Sequence, residues 1–300
     1  PKNPLLLQKL VTEAAQTNLQ VLIHPDSGFA AEEEKKLFDS QMPKIDAFLK
    51  AHNPLAEKEA LENFILLSKK VDGRLHCCHI TAKETLQVVK VEQQMKKFSG
   101  EVCPHHLLLD ENTLQTQRSE AKCLPPLRTK EDQTALWHAL SSELITIIAT
   151  DHAPHAYEEK HCDFESAACG ITGLETLLPT MFTAALKGYL PLEKIIPCMT
   201  SNPATLMGIE NRGKLEAGYY ADITLVKKEK RKVNPEIFES KAKWSPFEGF
   251  ETMAVVFTVL VNGSLAKQDE CLVSRSRSGR ILKRTNNQAS LEAEEERGKK

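Results

Sequence analysis

Apolar positions in the first two-thirds of the chain alternate between helical and strand spacing. Leu5 to Ala15 has helical periodicity, and Val21-Leu22-Ile23 follows as a short apolar run ending in His24-Pro25-Asp26. Over Glu57 to Lys70 the spacing of Leu61, Phe64, Ile65 and Leu67 predicts an amphipathic helix. Arg74 to Ile80 reads as a strand running into Thr81, a suitable N-cap for a helix over Lys83 to Lys97. Glu101-Val102-Cys103 is a further strand, closed by Pro104-His105-His106. Thr129 opens a helix to about Leu140, with Glu131 and Asp132 suited to the positive end of its dipole. Leu144 to Ala149 is then an apolar strand that stops at Asp151.

Four strand–helix units in series, each strand ending in polar residues, predict parallel α/β architecture. Gly173 to Leu186 and Pro191 to Thr200 read as additional helices. After Asn211 the texture shifts to short β segments, Ile223 to Val226 and Met253 to Val261, with turns at Gly218 and Asn262-Gly263. The expected organisation is therefore a strand–helix region over 1–210, a small β portion over 211–267, and a polar, disordered tail over 268–300. No internal repeat is present.

Composition narrows the class. With hydrophobic residues at 41%, charged residues at 27% and a net charge of -2, the 300-residue chain reads as globular, without the basic face of a nucleic-acid binder. Its apolar runs are too short and interrupted to read as membrane spans, and no secretory leader opens it. Eight scattered cysteines suit reduced, buried thiols in a cytoplasmic protein better than a disulfide framework. The adjacent pair Cys77-Cys78 lacks the spacing of a thiolate metal knuckle. The chain starts at Pro1, so either processing or a longer parent sequence is expected.

The chemistry gathers at strand ends. His24 closes the first strand, His79 the second, His105 and His106 the third, and Asp151 with His155 the fourth. In a parallel barrel these ends share one rim, where barrel enzymes keep their active sites. One strand-end histidine is ordinarily just a polar terminus; an aligned series is not. Two imidazoles and a carboxylate suit Zn²⁺, and an acid beside activated water can move its proton.

Five segments taken in order, His76-Cys77-Cys78-His79-Ile80-Thr81, Glu101 to His106, Pro125-Pro126-Leu127-Arg128, Asp151-His152-Ala153-Pro154-His155 and Gly170 to Thr176, resemble the dihydroorotases of the amidohydrolase superfamily, in their long bacterial type. The resemblance runs from about Pro4 to Leu265. It implies the second half of a TIM-like (β/α)8 metal-dependent hydrolase barrel with part of a small β-sandwich. It also implies zinc, two ions per active site in a complete enzyme, and reversible cyclisation of N-carbamoyl-L-aspartate to dihydroorotate in pyrimidine biosynthesis. By resemblance His24, His79 and Asp151 are metal ligands, and Asp151 is also the catalytic acid/base. His155 would hold the substrate carboxylate, and Cys169-Gly170 would face substrate through their backbone. His76 would be the non-ligand of its strand, and His105 and His106 structural support. Small-molecule substrate, no nucleic acid and no membrane are expected, with a homodimer or association with an aspartate carbamoyltransferase as the partner arrangements.

Three departures qualify the match. No His-x-His precedes His24, so a fragment of a longer enzyme is expected, the alternative being an inactive partner subunit. Leu124 stands where the family often has a substrate-contacting Asn, which keeps allantoinase or another cyclic-ureide hydrolase as a competing reading. Cys169 replaces a bulkier residue.

Overall fold

The computed structural model describes residues 4–26, 28–68, 73–92, 98–269, 271–273 and 279–282. In chain order the elements begin α1 (Pro4–Gln16), β1 (Gln20–Ile23), α2 (Gly28–Phe38), α3 (Lys44–Ala51), α4 (Pro54–Ser68) and β2 (Arg74–Cys77). They continue α5 (Lys83–Glu92), β3 (Phe98–Val102), α6 (Pro104–Leu108), α7 (Glu111–Gln117), α8 (Lys130–Ser141) and β4 (Ile147–Ile148). Short α9 (Tyr157–Lys160) precedes α10 (Leu177–Leu186), α11 (Leu192–Met199) and α12 (Ser201–Met207). The strands β5 (Ile223–Lys232), β6 (Glu251–Val261), β7 (Ser264–Gln268) and β8 (Cys271–Leu272) close the series.

The first four strands form one parallel sheet in sequential order. Helical crossovers between sequential parallel strands are the repeating unit of a (β/α)8 barrel, and four of its eight strands are present. Leu61, Phe64, Leu75, Cys77, Val89, Val102, Leu136, Ile148, Met181 and Ile195 fill the layer between sheet and helices. A second cluster, built on Phe38, Phe48, Leu114, Leu127, Phe164, Ile171 and Phe247, lies among the loops and short helices. On edge strand β1, Leu22 is 53% exposed, as expected where a barrel sheet is open.

Residues up to Met199 and Val226–Val256 make one compact unit; Thr200–Leu225 and the described residues from Phe257 onward make a second. In the second unit Asp222 ties the chain together, bonding the Arg212 guanidinium and accepting from the Asn262 amide at 2.7 Å. Asn262 and Gly263 take the positive φ of their turn. Among the described residues all eight cysteines are free, and no helix is long and apolar enough to cross a membrane.

Several expected boundaries move for local reasons. Strand β2 stops at Cys77, because the chain turns at His79 with φ 34. Thr81 does not cap α5: its hydroxyl bonds the Glu57 carboxylate and accepts from Arg128, while the Lys83 amide is met by Asp132 at 3.1 Å. Helix α10 starts at Leu177, because the amides of Gly173 and Leu174 donate to His152 Nδ1 instead. Thr129 does cap α8, through a reciprocal box with Asp132. Residues 93–97 of the expected α5 lie outside the described residues, as does nearly all of the expected tail beyond Val273.

Candidate active site

Parallel pairing brings Ile23 beside Cys77, Cys77 beside Gly100, and Val102 beside Ile148. The residues that follow each strand therefore emerge on one rim. His24 and His79 meet there: His24 Nδ1 lies 2.8 Å from His79 Nε2, with the rings edge-to-face. His79 is buried, and its Nδ1 has no partner. Burial first, and the facing His79 ring second, lower the pKa of His24. Two facing nitrogens cannot both carry the proton between them, so at neutral pH at least one presents a lone pair. This donor set fits a divalent ion such as Zn²⁺.

Asp151 stands exposed three residues beyond β4, with φ 44. Its charge is felt at His24, where it raises the pKa against the two larger effects. The structure thus joins His24 to His79 directly and brings Asp151 within electrostatic reach. Among the described residues, the group whose donor atoms all lie within 4.8 Å of one another is a different one, Cys103, His105 and His106. All three are buried. Burial holds the Cys103 thiol pKa well above its usual value and pushes His106 down to about 3. His106 Nε2 donates to Pro125 O at 3.1 Å, as a supporting ring does. His76 has both nitrogens occupied, by Ser99 Oγ at 2.8 Å and Glu101 at 3.0 Å.

Of the remaining expected site residues, His155, Cys169 and Gly170 lie in the chain between β4 and α10, and Leu124 lies before α8. His155 Nε2 donates to Cys169 O at 3.1 Å, and His155 O accepts from Trp244 Nε1 at 3.0 Å. Gly170 has φ 155, and a Cβ there would sit 2.5 Å from the Ala153 methyl carbon, so the loop closes only with glycine. Leu124 and Cys169 both pack against the second hydrophobic cluster.

Sequence reasoning passed over the buried roles of four polar residues, Arg128, His52, Lys122 and Lys160. Arg128 donates to Glu57, Thr81 and the carbonyl of His52. His52 bridges Asp26 and Glu34, at 3.3 and 2.9 Å. Lys122 and Lys160 are buried to 3% and 0% exposure. Hydropathy patterning treats all of these as solvated; only the position of Lys122 and Arg128 within Lys-Cys-Leu-Pro-Pro-Leu-Arg hinted otherwise.

Comparison with known proteins places the chain in a family. The amidohydrolase family model matches residues 3–266. A dihydroorotase of Bacillus cytotoxicus is 36% identical over 265 residues, covering 86% of this chain and 60% of its own length. One from Pyrococcus horikoshii is 35% identical over 244 residues, covering 81% and 56%. An L-hydantoinase (dihydropyrimidinase) from Arthrobacter aurescens superposes with a TM-score of 0.90 at 25% identity, over 94% of this chain and 64% of its own. The chain thus spans about three-fifths of the length of the relatives it matches.

Proposed function

The chain belongs to the amidohydrolase family, and on that premise we propose that it is part of a dihydroorotase, which opens and closes the ring of dihydroorotate. The observation that carries this reading is the pairing of His24 Nδ1 and His79 Nε2 at 2.8 Å on the rim where Asp151 also stands. The names of the sequence relatives supply the substrate. His24 and His79 would hold one zinc, Asp151 would be a ligand of the other, and a complete enzyme would hold both ions. Bound there, the metal would lower the pKa of water and polarise the ring carbonyl.

The residues of this chain then do the following. In the hydrolytic direction the bond between the ring nitrogen and the acyl carbon breaks. The Asp151 carboxylate takes the proton from the attacking water and returns it to the departing nitrogen, so that it ends the cycle as it began. His155 has its Nε2 committed to Cys169 O, so it can grip the substrate carboxylate only from Nδ1, as imidazolium, with Glu159 3.7 Å away as competitor. The backbone of Cys169 and Gly170 faces the ring, and Leu124 offers it an apolar edge.

A second reading, hydrolysis of a hydantoin or another cyclic ureide, is favoured by Leu124, which cannot hydrogen-bond a ring, and by the likeness to L-hydantoinase. The complete protein that carries this sequence, purified with its metal, should turn over dihydroorotate. Turnover of hydantoin or allantoin alone would move the assignment to the second reading, and metal-loaded protein inert on all three would make this an inactive relative.

A further inference from the structure

Two lysines are buried where no carboxylate, among the described residues, comes within ion-pair distance of them. Lys122 Nζ donates to the carbonyls of Phe164, Glu165 and Ala167 at 2.8, 3.3 and 2.9 Å. Lys160 Nζ donates to those of Lys122, Ala168 and Gly170 at 2.6, 3.0 and 2.8 Å. An ammonium group has three protons, and each of these meets three oxygens. Aromatic faces complete both cages: Phe164 and Phe48 lie 4.9 and 5.5 Å from Lys122, and Trp244 lies 5.1 Å from Lys160. Burying an ion costs far more than ordering a surface loop requires, so an apolar side chain would be the simpler filler here.

The arrangement has a consequence for backbone direction. Three successive carbonyls alternate in target: Ala168 to Lys160, Cys169 to His155, Gly170 to Lys160. A trans peptide turns the following N–H away from its carbonyl. The amides of Cys169 and Ile171 are therefore turned away from Lys160, while the Gly170 amide is held by Lys122 O at 3.0 Å. The carbonyl of Lys122 is thus the shared node of the Lys160 ammonium and the loop amide.

We propose that Lys122 and Lys160 are positioning residues, whose buried ammonium groups gather six carbonyls and so aim the Cys169–Gly170 backbone and the His155 ring at the substrate. This rests on the reading of that loop as the substrate-facing one. Burial lowers the Lys160 pKa to about 8, so the cage is mostly charged at neutral pH. Neither lysine touches the His24–His79 pair, so its loss acts on ring binding and not on metal.

The test is Lys160→Met in the complete, metal-loaded protein, which keeps the side-chain volume and removes the donors. Expected are a KM for dihydroorotate raised on the order of tenfold with kcat changed less than about threefold. Bound metal should be unchanged, and amide exchange over 162–171 faster than in the parent. Unchanged KM and exchange, or loss of kcat together with metal, overturns the proposal. If the protein does not fold, Lys160→Gln is held to the same criteria, and failure of both to fold assigns the lysine to stability alone and also overturns it. Should the parent protein prefer hydantoin, the KM and kcat comparison is made with that ring. Should it turn over nothing, the exchange and metal readouts still decide the positioning role while the dihydroorotase reading fails by itself.

Discussion

The imidazoles of His24 and His79 and the ammonium groups of Lys122 and Lys160 are two pairs of polar side chains set near the same rim, and the fold treats them oppositely. Six carbonyls satisfy all the protons of the lysines. The histidines share one short contact, and His79 Nδ1 is left buried without a partner. Buried polar atoms are ordinarily paired; the facing ring nitrogens of His24 and His79 suit a pair of metal ligands, and the fully paired lysines suit a place where geometry is to be kept. Removing a group from the first kind of place should cost chemistry; removing one from the second should cost position or stability.

The largest expected effect breaks the chemistry side. Asp151→Asn should lower kcat by about 10²- to 10⁴-fold, the usual worth of a positioned acid/base, while zinc at His24 and His79 stays largely bound. Near-normal turnover, measured alongside metal content, would remove Asp151 from proton transfer. Next comes the ion pair behind the rim. Arg128 and Glu57 are exposed by only 6% and 2%, so Arg128→Met strands a carboxylate and should cost about 3–5 kcal/mol in urea unfolding. A loss under about 1 kcal/mol would show that water reaches this pair, contrary to its burial.

How much of this could be read from the chain follows the same division. The four strands were visible because each is an apolar run with a polar end, and parallel order followed from their alternation with helices. The meeting of His24 and His79 was visible because sequential parallel strands end on one rim. Helices α2, α3 and α7 were not, because their large buried apolar residues pack into the second cluster; Phe38, Phe48 and Leu114 carry no sheet-facing periodicity. The caged lysines were invisible for a sharper reason. Their partners are backbone carbonyls, up to 45 residues away in the chain, and carbonyls leave no mark in a sequence. Thr81 misled because a good N-cap residue can be claimed by a stronger acceptor, here Glu57.

Gly170→Ala sharpens the contrast at an intermediate scale. The new methyl would stand 2.5 Å from Ala153 Cβ and 3.0 Å from His155 Cδ2, at φ 155. Strain of about 1–3 kcal/mol falls on the loop that carries His155. KM should rise with bound metal unchanged; a fall in metal content instead would mean that the loop and the histidine pair are one structure and not two.

His52 supplies the finest test, because it belongs to neither class until its protonation is fixed. Both of its nitrogens face carboxylates, Asp26 at 3.3 Å and Glu34 at 2.9 Å, and both can donate only in the imidazolium form. Burial alone would lower its pKa from 6.5, but hydrogen bonds to Asp26 and Glu34 outweigh this and raise it. A raised folded-state pKa stabilises the fold fully below the unfolded value, near 6.5, and the contribution fades as pH climbs through the folded one. The stability difference between the parent and His52→Gln, from urea unfolding at a series of pH values, should therefore be largest near pH 6 and shrink toward pH 9. The difference cancels titrations that do not touch the Asp26–His52–Glu34 bridge. If it grows with pH, the ring is held neutral in the fold, and the bridge is not a charge kept by its neighbours.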